Sequence, residues 1–210
     1  MKYLDIDTWE RKQHFEFFMN FHDPHFAVTI PFDVTRAYAF SKEKGLSFFG
    51  VYLHACMKAI NQVENFRYRI TPDHKVVVHD VIHASPTIAR PDHTFGFSYI
   101  DFSEDLSTFL KHLSAEKERI LNSKNLFPEE ERGEDCIYCS ALPWFDFTGH
   151  KEPHMALAKE SVPKLAFGKV KEEGDKLIMN VAVNVNHALV DGYHVGLFSD
   201  RFQYYLDESI

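Results

Sequence analysis

Lys176-Leu177-Ile178-Met179-Asn180-Val181-Ala182-Val183-Asn184-Val185-Asn186-His187 carries Leu, Met, Val, Val, Val and His at its odd positions and asparagine at three even ones. Side chains leave a strand on alternate sides, so this pattern is a strand with one apolar face, and His187 ends it on that face. Lys164 to Lys171 reads as a second strand, joined to the first by the short polar turn Glu172-Glu173-Gly174-Asp175.

Further out, strands are expected at Lys75 to His79, Val81 to Arg90, Thr94 to Asp101 and Ile137 to Leu142, with turn signals at Pro72-Asp73, Pro86 and Pro91-Asp92. Helices alternate with them. The first is expected over Trp9 to Phe18, with Asp7 and Glu10 spaced as a reciprocal cap. The second runs from Val34 to Lys44, capped by Asp33 and stopped by Gly45. Ser47 to Glu64 is apolar on most sides, with Lys58 and Asn61 facing outwards, and Ser103 to Ser123 and Tyr193 to Leu206 complete the set. Asn122 to Asp135, rich in acids, reads as a surface loop. The class is α/β (α+β) with a mixed sheet, and residues 1–210 make one domain.

Composition excludes several functions. A net charge of −8 with no Lys/Arg stripe argues against nucleic acid. No apolar run approaches the roughly 18 residues of a membrane span, and the acids of the N-terminus do not suit a signal peptide, so a cytoplasmic protein with no membrane partner is expected. Three cysteines fit a reducing compartment. The surplus is aromatic: 20 Phe and 9 Tyr call for a thick core, an interface or a lined pocket.

His187 alone reads first as a core histidine satisfied by backbone. Its neighbours add chemistry. Asp191 follows four residues later and Gly192 lets the chain turn, and an imidazole near its ordinary pKa of about 6.5 can accept a proton from a hydroxyl at neutral pH.

His187-Ala188-Leu189-Val190-Asp191-Gly192 resembles the H-x-x-x-D-G signature of chloramphenicol acetyltransferases and of dihydrolipoyl acyltransferase catalytic domains. Trp9, Arg11, His14, Phe15 and Phe17 resemble the amino-terminal segment of the former, and Ser140-Ala141-Leu142-Pro143-Trp144 is similar to their S-A-L-P-W strand. The resemblance spans essentially the whole chain and implies a two-layer sandwich, a mixed sheet with helices on one side. It implies acetyl-CoA as co-substrate, a small hydroxyl-bearing acceptor and no metal. His187 would be the general base, Asp191 would pair with Arg11 to brace the turn, and Ser140 would donate to the oxyanion. Phe18, Phe26, Phe95, Trp144 and Ala166 would line the acceptor pocket, and Lys169 would lie near the coenzyme phosphate. A second phosphate lysine stands as Ser47, with Lys44 available to replace it. The resemblance also implies a homotrimer whose sites lie between subunits. Phe18, Ala166, Asn186 and Pro24 depart from the pattern at or beside the pocket, which puts the acceptor in question while leaving the reaction intact.

Two rival functions share these features: a dihydrolipoyl acyltransferase core, with which a lipoyl domain and a Pro/Ala-rich linker would be expected, and a trimeric binding protein without turnover. Cys136-x-x-Cys139 with His150 and His154 resembles a zinc pattern, but the ten-residue gap holds the Ser140 to Trp144 strand and is short for one.

Overall fold

The structure is a computed structural model and describes residues 1–129, 133–154 and 160–208. In chain order the elements begin with β1 (Lys2–Tyr3), α1 (Lys12–Phe18), β2 (His25–Asp33), α2 (Thr35–Glu43) and α3 (Phe48–Gln62). They continue with β3 (Tyr68–Ile70), β4 (Val76–Val78), β5 (His83–Ala89), β6 (Phe95–Phe97) and α4 (Leu106–Leu121). Last come β7 (Cys136–Ala141), β8 (Lys164–Phe167), β9 (Lys171–Glu173), β10 (Lys176–Asn186) and α5 (Gly192–Glu208).

The main sheet has the order β2-β10-β8-β7-β5-β6, with β9 pairing β10. β7 runs parallel to both β5 and β8, and the other pairs are antiparallel, so the sheet is mixed as expected. The alternation that opened the sequence reading holds along β10: Val181, Val183 and Val185 are buried in one apolar cluster with Leu53, Phe198 and Phe202 of the helices. The opposite face carries Asn184, level with Lys164 and Tyr138. Helices therefore cover the valine side. A small sheet, β1-β4-β3, flanks them.

Helix α3 is the buried one, as its composition requires. Leu53, Cys56, Met57, Ala59 and Ile60 have no exposed surface, and each larger side chain among them contributes about 1.5–3 kcal/mol by burial. Ser47 caps it by accepting from the Gly50 N–H. Asn61 does not face outwards as expected: its amide donates to the carbonyls of Met57 and Ile82, and its Oδ1 accepts the Ile82 N–H at 2.7 Å. A polar side chain late in an apolar helix is here the bolt between helix and sheet.

Three other expectations change. β2 was missing from the sequence reading because Pro31 interrupts it. The strand lies at the edge of the sheet, where a residue without an N–H is tolerated, and it pairs with β10 from Asp33 to His25. Asp7 does not cap α1, which starts at Lys12 with no side-chain cap, and it forms an ion pair with Lys12 instead. The long strand over Lys164 to Lys171 is two strands, β8 and β9, and Gly174 makes the turn to β10 at a φ of 64°, a conformation glycine adopts without steric cost. Residues 130–132 of the acidic loop lie outside the described residues. No helix among the described residues is long and apolar enough to cross a membrane.

Candidate active site

His187 is the first residue beyond β10. Its N–H donates to the Pro24 carbonyl at 2.9 Å, extending the ladder between β10 and β2 by one bond. Asn186 then closes the turn. Its carbonyl accepts the N–H groups of Leu189 and Val190, and its Oδ1 accepts the Ala188 N–H at 2.9 Å. Its Nδ2 donates to the Glu160 carbonyl. The sequence marked Asn186 only as a departure; its short amide, buried at a strand end, was the available signal for a turn-fixing role.

Phe18 lies flat on the imidazole, with ring centres 4.0 Å apart and planes 9° from parallel, and Phe26 approaches at 4.6 Å. Among the described residues Nδ1 of His187 is buried without a hydrogen-bond partner, which leaves Nε2 as the nitrogen to meet a reactant. Arg11, in the turn before α1, donates to Asp191 through Nη1 and reaches the His187 carbonyl through Nη2 at 3.4 Å. Asp191 Oδ1 accepts the N–H groups of Tyr193 and His194, which fixes the start of α5. Burial works to raise the Asp191 pKa, but the charges of His194 and Arg11, the His194 N–H and the Arg11 hydrogen bond outweigh it and hold the carboxyl below its ordinary value. Burial pushes His194 down while the Asp191 carboxylate works to raise it, and its Nδ1 lies 2.9 Å from Asp191 Oδ1 and 3.1 Å from the Asp191 backbone nitrogen. The result is a braced turn that presents one imidazole nitrogen between two aromatic rings.

Ser140 lies elsewhere in the chain. It sits on β7 level with Ala166 of β8, which is level with Ala182 of β10. His187 is five residues further along β10 and two strands across, about 19 Å away at ordinary strand spacings. Ser140 lines a cavity of about 740 Å³ together with Phe95, Phe97, Phe127 and Tyr138. Phe97 and Phe127 are stacked with centres 5.1 Å apart. The chain thus carries the candidate groups in two regions: His187, Arg11, Asp191, Phe18 and Phe26 at one, Ser140 and Phe95 at the other. Trp144 joins neither, being 70% exposed and outside the cavity lining, and Ala166 is buried beside Ser140.

Lys169 is exposed and its ammonium makes no ion pair among the described residues, whereas Lys171 is held by Asp146 and Glu173 and Lys176 by Asp33. Lys169 is therefore free to meet a phosphate. Lys44 is paired with Glu43 at 2.9 Å, and Ser47 spends its hydroxyl oxygen on the α3 cap.

The zinc-like quartet does not converge among the described residues. Burial pushes the Cys136 thiol up to about 12 and Cys139 well above its ordinary value, while His150 bonds Glu152 at 2.8 Å. His154 instead joins Asp23 and His25, with donor atoms within 4.8 Å of one another. The His25 and His154 rings lie 3.8 Å apart and within 16° of parallel, so their in-plane lone pairs do not meet at one ion. His25 Nε2 bonds the same Glu160 carbonyl that accepts from Asn186, so the stack buttresses the turn at His187.

This architecture recurs in acyltransferase cores. A chloramphenicol acetyltransferase structure, 28% identical, superposes with a TM-score of 0.88 over 98% of this chain and 99% of that one. The dihydrolipoamide acetyltransferase of Azotobacter vinelandii shares the fold at 17% identity, with a TM-score of 0.71 over 94% of this chain and 86% of its own. Fold and site together define a coenzyme A-dependent O-acetyltransferase. More narrowly, the chain belongs to the chloramphenicol acetyltransferase family, whose model matches residues 1–203. It is 30% identical to the chloramphenicol acetyltransferase of Bacillus pumilus over 202 residues, covering 96% of this chain and 91% of the relative. Chloramphenicol acetyltransferase 3 of Escherichia coli is 28% identical, over 95% and 94%.

Proposed function

We propose that this acetyltransferase works as a cytoplasmic homotrimer whose active sites are each built from two copies of the chain, with chloramphenicol or a similar small hydroxyl compound as acceptor. The observation that carries this reading is the register that sets His187 five residues and two strands away from Ser140 within one chain, about 19 Å at ordinary strand spacings. A base and an oxyanion donor must both reach one carbonyl carbon, within a few ångströms of each other. Two copies meeting with the His187 turn of one over the aromatic cavity of the next satisfy that requirement.

In such a site His187 Nε2 takes the proton of the acceptor hydroxyl as its oxygen attacks the acetyl carbonyl. Ser140 of the other copy donates to the oxygen that becomes negative. Collapse breaks the carbon–sulfur bond, and the proton passes to the departing thiolate, leaving an ester and free coenzyme A. Lys169 supplies charge for the coenzyme phosphate. The same arrangement in a drug-exposed cell would confer resistance.

Mixing tests the shared site. Chains carrying His187→Ala and chains carrying Ser140→Ala are each expected to release little thiol from acetyl-CoA, and hybrids formed by refolding them together should regain part of the activity. Hybrids that form and stay inactive would refute the shared site. Thiol release from wild type with chloramphenicol tests the acceptor, and coenzyme binding without any turnover would instead favour a binding protein.

A further inference from the structure

The aromatic cavity that holds Ser140 also has a charged wall, and its pieces are not equivalent. Lys164 is spent: its ammonium donates to the Pro153 carbonyl and to Glu160 at 2.9 Å, and lies 3.5 Å from His154 Nδ1. That pairing also occupies the Glu160 carboxylate. Glu152 differs. Its side chain is only 16% exposed, its Oε1 meets His150 Nε2 at 2.8 Å, and no hydrogen bond reaches its Oε2 among the described residues. Glu152 lines the cavity, and a nearly enclosed carboxylate with an oxygen lacking a donor is a receptor for a donor carried by the ligand. Phe97 and Phe127, stacked on one another, line the same cavity, and the uncovered face of a phenylalanine ring attracts organic cations.

We propose that the preferred acceptor is a hydroxylated molecule bearing a protonated amine, with Glu152 as its counter-ion. This rests on the reading of Ser140 and the cavity as the acceptor half of the site. An anionic acceptor is disfavoured because the lysine facing the cavity has its N–H groups directed at the wall. A neutral acceptor leaves the carboxylate to lose water without compensation, and lost compensation is what sites use to discriminate. The amine stays protonated against Glu152 and is no nucleophile, so the acetyl group goes to the hydroxyl oxygen and the product is an ester.

A matched pair isolates the charge: 2-amino-1-phenylpropane-1,3-diol and its neutral N-acetyl amide present the same diol. Binding of each to the full-length protein at pH 7 is measured by calorimetry, and turnover by thiol release. The amine is expected to bind at least tenfold more tightly than the amide, with the advantage shrinking as salt is added. Glu152→Gln is expected to bring the ratio to about one. Equal binding of the pair to wild type, tighter binding of the amide, or binding of neither overturns the proposal, as does a preference that survives Glu152→Gln. Should the variant fail to fold, the wild-type comparison decides alone. Failure of the acetyltransferase reading looks different: the amine would still bind preferentially, with no thiol released from acetyl-CoA by any alcohol.

Discussion

The turn at His187 and the cavity around Ser140 lie on the same sheet but are held in different ways. At the turn, backbone bonds from Pro24 and Asn186 and the Arg11 to Asp191 pair fix one ring, and two phenylalanines fix its plane. The cavity is walled by rings whose contacts are non-directional, with a few polar anchors such as Ser140 and Glu152. A directional network tolerates little change before its geometry fails, whereas an apolar wall can be relined. On the proposed reading, chemistry is thus the rigid half of this protein and acceptor choice the adjustable half.

The contrast can be tested by how each half fails. His187→Ala is expected to lower kcat by about 10³-fold with coenzyme binding retained, read by thiol release and calorimetry; a loss under tenfold would break the assignment. Ser140→Ala should cost about 10²-fold in kcat with a smaller change in acceptor KM. An effect confined to KM would move Ser140 from the reacting centre to the pocket wall.

Asp191→Asn keeps the shape of the brace and removes its charge, and about a tenfold loss of kcat is expected with about 1–2 kcal/mol of stability by urea unfolding. Its pH dependence has a definite sign. A carboxyl whose folded pKa lies below the ordinary 3.8 stabilises fully above that value and loses its contribution as pH falls through the folded pKa. The stability gap between wild type and variant should therefore be constant above about pH 4 and shrink below it. Phe97→Ala should have the smallest effect, raising acceptor KM about fivefold with kcat nearly unchanged. A large kcat effect there would erase the distinction between the two halves.

Particular elements show how much was legible beforehand. β10 could be read because eleven residues alternate over a face that is buried from Met179 to Val185, and α3 because an apolar run of that length has few alternatives to a buried helix. The Arg11 to Asp191 pair was reachable through family resemblance, since 180 residues separate them and no local pattern links the two. β2 was hidden by Pro31, whose meaning depends on whether the strand is an edge. Trp144, expected at the pocket, is outside the cavity because its strand ends at Ala141. Glu152 carried no signal in sequence: an acid beside a proline resembles any surface turn until the fold sets it on the cavity wall.

The sequence by itself determined which segments form strands and helices, that His187 leaves β10 at a turn, and the family to which the chain is similar. These are properties of local period and short motifs, which neighbouring residues impose on one another. Only the tertiary structure decided how far His187 lies from Ser140, five residues and two strands away in the same sheet. Strand order and register set that distance, and they arise from packing between segments remote in sequence, where no local spacing can encode them.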